Sequence, residues 1–102
     1  MVARVARFDG VNMAEVERTT GEAEATIRPM VEGLPGFLGH LELGSPGGEM
    51  LSITFFDTED NAESAEPTFD EELPRQLGEL FASWEGRRVA AGRYTVLAHH
   101  WV

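Results

Sequence analysis

The chain has no cysteine among its 102 residues. Disulfides, thiolate metal sites and cysteine nucleophiles are therefore excluded. It has no lysine either, since all 8 basic residues are arginine, and this removes Schiff-base chemistry on a lysine. No stretch approaches the roughly 20 consecutive apolar residues of a membrane span, and no apolar run of signal-peptide length opens the chain. The expectation is a soluble, cytoplasmic protein with no membrane partner. Positive charge is scarce, with 8 basic against 18 acidic residues and a net charge of −10. Phosphate backbones are held by basic patches, so nucleic acid is not the partner expected. No nucleophile elbow, phosphate loop, zinc helix or calcium-loop spacing occurs.

Length points to one domain spanning residues 1–102, small enough to gain from oligomerising. The acid is unevenly spread. Asp57 to Glu72 holds 8 carboxylates and no base, the pattern of a solvated helix face.

The region Gly33 to Ala65 organises the rest. Pro35-Gly36 signals a turn. Phe37, Leu38, Leu41 and Leu43 punctuate a strand ending at Gly44, and Ser45-Pro46-Gly47-Gly48 are turn formers. From Met50 to Phe56 the residues alternate, with Leu51, Ile53 and Phe55 on one face and Met50, Ser52, Thr54 and Phe56 on the other. The first face is the more apolar, so the expectation is that helices cover it. Asp57 or Thr58 then offers an N-cap, and Glu59 and Asp60 suit the positive end of a helix.

Earlier in the chain, Val2 to Phe8 alternates as a strand. Asn12 with Glu15 has capping-box spacing. Ala23, Ile27, Met30, Val31 and Leu34 form one helical stripe, with Pro29 expected to bend the helix or split it before Gly33. Later, Pro67 stops the acidic helix. Thr68 and Glu71 open another, whose stripe is Phe69, Leu73, Leu77, Leu80, Phe81 and Trp84. Arg87 to Gly92 reads as a connector, and Tyr94 to Val102 as a final strand. The order β-α-β-β-α-β predicts an α+β, ferredoxin-like fold: a four-stranded antiparallel sheet with helices on one face. Large residues on its open face, Met50 and Phe56, predict a covering partner, most simply a second copy of the chain.

Pro35-Gly36-Phe37-x-Gly39, the strand Ser52-Ile-Thr-Phe-Phe-Asp57, the helix start Thr58-Glu-Asp-x-Ala62 and the final Arg93-Tyr94-Thr95-Val96 resemble the antibiotic biosynthesis monooxygenase (ABM) type of dimeric α+β barrel. That resemblance implies a homodimer whose sheets pack into a barrel, with a cleft between helices and sheet in each subunit. It also implies that a cofactor-independent monooxygenase acting on a small aromatic or polyketide-like substrate is one reading of function. Members often carry Trp at the end of the third strand and His on the next helix, where this chain has Phe56 and Ala65. Haem-degrading relatives use an Asn on the first strand, and Val2 to Phe8 has none. Haem degradation is not expected.

The candidate catalytic residues are His99, His100 and Asn61. Adjacent strand histidines point to opposite faces, so His99 and His100 do not share a metal within a subunit; one of them is a general-base candidate near neutral pH. Asn61 lies on the first turn of the acidic helix. Trp84, Tyr94 and Phe55 are the candidates for substrate binding, as aromatics that contact a planar guest. His40 sits out of phase with Phe37, Leu41 and Leu43, on the polar side or at a dimer interface. A metal site of His40, Glu42 and a C-terminal His lacks a spacing motif, and no cofactor is expected. Three readings stand: a cofactor-independent oxygenase, a binder of small hydrophobic ligands that does no chemistry, and an interaction module whose cleft is filled by side chains.

Overall fold

A computed structural model describes residues 1–102. Strand β1 (Val2–Asp9) leads through Gly10 into helix α1 (Met13–Glu32). Asn12 caps it, its side-chain oxygen accepting from the Glu15 backbone N–H at 3.2 Å, and Gly33 ends it. The helix is one element through Pro29, so of the two expected outcomes, one helix or two pieces, the first holds. Its buried stripe is Val16, Thr19, Ala23, Ile27 and Val31, spaced by three and four residues.

Strand β2 (Phe37–Gly44) and strand β3 (Met50–Phe56) follow. Gly36 precedes them at φ +73°, and a Cβ there would come within 2.1 Å of Asp57 Oδ1. Only glycine takes this conformation in this space. Thr58 then caps the short helix α2 (Glu59–Ser64). Thr68–Glu72 forms a wide π-helical turn that runs into α3 (Leu73–Ser83). The cause is local: the Leu73 N–H donates to the Thr68 carbonyl five residues back. Pro74 has no N–H with which to close the ordinary bond to Asp70.

Strand β4 is Arg87–Thr95, not Tyr94 to Val102. Its partner decides this. Val2 pairs with Thr95, and the Val96 N–H donates to the Met1 carbonyl at 3.0 Å, the last backbone bond between the two segments.

The sheet is antiparallel, in the order β2-β3-β1-β4. Cross-strand partners share a face. The helix-covered face therefore carries rows: Phe37, Phe56 and Val2; then His40, Thr54, Arg4 and Arg93; then Glu42, Ser52, Ala6 and Ala91; then Gly44, Met50 and Phe8. The opposite face carries Leu41, Ile53 and Val5, with Leu43 and Leu51 beside them, and Phe55, Ala3 and Tyr94. This reverses the face expected from apolarity. Helices cover Met50, Thr54 and Phe56, which are buried, and leave Leu51, Ile53 and Phe55 only half-buried. A slip in the β2 register between Phe37 and Gly39 is the second surprise, for it puts Phe37 and His40 on the same face.

The core is three small clusters rather than one. Ala23, Ile27 and Val31 meet Leu73 and Leu77; Val2 and Phe56 meet Ala62 and Ala65; Val11 and Val16 meet Met50. Phe69 packs against the first two and Trp84 against the first and third. The face reversal makes a direct prediction. Phe56→Ala, at a position wholly closed to solvent, should lower the free energy of unfolding by about 3–5 kcal/mol in urea denaturation. Phe55→Ala, at a position half-buried in the single chain, should cost distinctly less at protein concentrations too low for copies to associate, and equal losses there would contradict the face assignment.

Candidate functional site

Where the three clusters leave off, a cavity of about 330 Å³ opens between helices and sheet. Its floor is the middle of the helix-facing sheet surface: Arg4, Ala6, Phe8, His40, Glu42, Met50 and Ser52. Its roof and walls are Thr20, Glu24 and Ile27 from α1, Phe69 and Asp70 from the π-helical turn, and Leu73, Phe81 and Trp84 from α3 and its end. Small residues make the room: Ala6 and Ser52 are cross-strand partners, and neither fills the space under the helices. The volume falls within the range of small-molecule sites, and the mostly apolar lining with a few polar groups is their usual character.

One polar group of the floor is on β2 and β3. His40 Nδ1 lies 2.7 Å from Thr54 Oγ1, and Nε2 lies 2.7 Å from Glu42 Oε1. The Ser52 hydroxyl donates to the same Glu42 oxygen at 2.9 Å. Thr54 has no exposure, so it anchors the ring, while the Glu42 side chain is partly exposed. A second cavity, against the β2 edge, is lined by His40 and Glu24 as well.

The other polar group crosses β1 and β4. Arg4, 3 % exposed, donates through Nε to Glu66 Oε2 and through Nη2 to Asp70 Oδ1, both at 3.3 Å. Its guanidinium carbon stands 4.2 Å from the Phe69 ring centroid, within cation–π range. Arg88 donates to Asp70 at 2.6 Å. Arg93 reaches Glu59 and Glu66, and the Glu59 hydrogen bond holds the Arg93 guanidinium above its ordinary range. Three carboxylates of the acidic run read as a solvated face, Glu59, Glu66 and Asp70, are thus tied to three arginines of the sheet.

Trp84 lines the cavity, and its Nε1–H donates to Thr19 Oγ1 at 2.8 Å, while Thr19 itself donates to the Glu15 carbonyl. The indole N–H is therefore used inside the protein and the ring is what faces a guest. Phe81 stands 5.2 Å from it. The other sequence candidates are not brought together here. Tyr94 and Phe55 lie on the opposite sheet face, in one cross-strand row through Ala3. His99 and His100 follow the end of β4 and are exposed; Trp101 packs edge-on against Phe55 at 5.8 Å, with His99 beside it at 5.7 Å. Asn61 donates to Asp57 Oδ1 at 2.8 Å, next to Gly36 and outside the cavity. Arg4, Arg88 and Asp70 were missed as site residues. Arg4 carried a signal, a charge in the middle of a strand otherwise built for burial.

No family model matches the chain, and no curated protein does. Solved structures do match it. SnoaB, a cofactor-independent oxygenase from Streptomyces nogalater, superposes with a TM-score of 0.64 at 20% identity, covering 96% of this chain and 94% of that one. A monooxygenase from the gene ActVA-Orf6 of Streptomyces coelicolor, solved with nanaomycin D, gives 0.70 at 16% identity, covering 99% and 91%. A dimeric ferredoxin-like protein from an uncultured marine organism gives 0.70 at 12% identity, covering 100% of both. The chain shares the ferredoxin-like fold of these proteins.

The Thr19 bridge is open to test. Thr19→Val keeps the shape and removes both hydrogen bonds, leaving the Trp84 N–H without a partner. Unfolding free energy should fall by about 1–3 kcal/mol, and an unchanged urea midpoint would show that the bridge holds nothing.

Proposed function

We propose that the helix–sheet cavity binds a small planar aromatic molecule of polyketide-like phenolic character and supports its oxygenation by molecular oxygen without a cofactor. The observation that carries this reading is the cavity itself: about 330 Å³ in a chain of 102 residues, walled by Phe69, Phe81 and Trp84 and polar at its floor. Similarity to oxygenase structures supports the reading, though a fold alone does not fix a function.

The chemistry follows from the floor. The His40–Glu42 pair acts as one proton acceptor. Thr54 keeps the ring in place, and Glu42, the partly exposed member, is the side of the pair that the ligand meets. An activated ring CH₂ of the substrate gives its proton to the pair. The carbanion transfers an electron to oxygen, and the two radicals combine to form a C–O bond. The peroxide takes the proton back, the second C–H hydrogen leaves with the departing oxygen as water, and a carbonyl remains. The substrate supplies every electron, so no external reductant enters. The apolar walls keep bulk water from quenching the carbanion.

A second reading rests on the hydrogen-bond inventory. Both His40 nitrogens, the Ser52 hydroxyl and the Trp84 N–H already have partners. Such a floor also suits a non-catalytic binder that holds its guest by its walls.

Assembly belongs to the same proposal. Leu41, Leu43 and Tyr94 are exposed on the outer sheet face, beside Ile53 and Phe55, and a second copy of the chain would cover them in a symmetric dimer. We place the dimer in the cytoplasm.

Oxygen uptake with a phenolic anthrone separates the readings. The wild type should consume oxygen, and His40→Ala should slow it by roughly 10²–10⁴-fold with little change in ligand affinity. Raised melting temperature with the anthrone but no uptake would leave only the binder. Absence of both would sink the two together. For the assembly, Ile53→Arg should turn a dimer into a monomer by light scattering, and a wild type that runs as a monomer would refute it.

A further inference from the structure

We infer that Arg4 is a specificity residue of the cavity, and that the ligand it selects carries an acidic oxygen, a carboxylate or an ionised phenol. The inference rests on the reading of the cavity as an aromatic site and adds the charge and orientation of the guest.

Arg4 is a buried guanidinium with unfinished hydrogen bonding. Its Nε and Nη2 have carboxylate partners, at a relaxed 3.3 Å each, and Nη1 has none. No buried side-chain nitrogen or oxygen in the protein lacks a partner. Nη1 must therefore border open space, and for a residue 3 % exposed that lines the cavity, the space is the cavity. A guanidinium presents its donors in a fixed planar fork that matches the oxygens of a carboxylate. Phe69, stacked at 4.2 Å, fixes the plane of that fork.

The charges around it agree. At this end the cavity is lined by Arg4 and Arg88 against Asp70 alone, and Asp70 is shared between the two arginines. The opposite end carries Glu24 and Glu42. Glu66, outside the cavity lining, also pairs with Arg4, so the cluster as a whole is balanced in charge. What this end of the apolar space offers a guest is the unused Nη1 donor of a cationic guanidinium, and an anion there is held more strongly than at the surface. Arg4 and His40 flank Thr54 in one cross-strand row. Two strand spacings put them roughly 10 Å apart along the floor, about the length of a fused polycyclic aromatic. The ligand lies with its acidic oxygen toward Arg4 and its reacting edge toward His40.

Two probes differing in one group test this: 1-hydroxy-2-naphthoate, an anion, and 1-naphthol, which is neutral near pH 7. Calorimetry on the wild-type chain should show the anion binding more tightly. Arg4→Gln should weaken the naphthoate by about tenfold or more, as loss of a charge-assisted hydrogen bond does, and change naphthol by no more than about twofold. Because Arg4→Gln also unpairs Glu66 and Asp70, a second variant works in the opposite direction. Asp70→Asn releases Arg4 and should tighten the naphthoate by about threefold, on the scale of a partly exposed ion pair. If naphthol binds and neither variant discriminates between the probes, the aromatic site stands and the role of Arg4 is wrong. If neither probe binds the wild type, both fall.

Discussion

A charge on the central strand of a small sheet, facing the helices, has to find partners or leave. Arg4 is that charge, and much of the architecture can be understood from how it is accommodated. Glu66 and Asp70 descend to it from the segment after α2, and Asp70 sits in the π-helical turn that Pro74 imposes. The wide turn places Phe69 against the guanidinium and Asp70 beside it within two consecutive residues. Arg88 and Arg93 on β4 then share the same carboxylates. The acidic run is thereby fastened to the sheet at one side of the cavity, with charge that would otherwise repel itself balanced by arginines.

That arrangement explains why the core is divided. Polar groups in the middle rows of the sheet, Arg4, Thr54 and His40, then Ser52 and Glu42, cannot be packed over by aliphatic side chains without losing their partners. The apolar clusters instead gather around them, at the α1–α3 contact, at the Phe56 corner and at the Met50 end. What remains between is a space with aromatic walls and a hydrogen-bonded floor. The stability lost by leaving it open is a reason to expect that it is used. The other sheet face, freed of polar duty, is the more apolar one, and a second chain is the simplest cover for it.

The order of elements was legible because it rests on local chemistry: the Asn12 cap, the Gly36 turn, the alternation of Met50 to Phe56, the stripe of α1. The last strand was misplaced because β propensity in Tyr94 to Val102 says nothing about which residues lie opposite β1; the register pairs β1 with Arg87 to Thr95. The sheet face was read in reverse for a related reason. Hydrophobicity tells which face avoids water, not whether helices or another chain will shield it. That reversal carried Tyr94 and Phe55 out of the cleft and brought His40 in, aided by the register slip in β2 that no propensity announces. His99 and His100 drew attention as a pair, yet they belong to a tail resting near Phe55 through Trp101. Trp84 was visible as an amphipathic aromatic, but its use of the N–H on Thr19 needed three dimensions. Arg4 and Asp70 are 66 residues apart, and no spacing rule joins them.

The proposed aromatic guest sits in the space between helices and sheet. Side-chain NMR of the chain titrated with 1-naphthol tests this placement most directly. The signals of Trp84, Phe69 and His40 should move together and saturate, while those of Phe55, Tyr94 and His99 stay still. Movement confined to Phe55, Tyr94 and His99, with Trp84 unmoved, would place the guest on the outer face and contradict it.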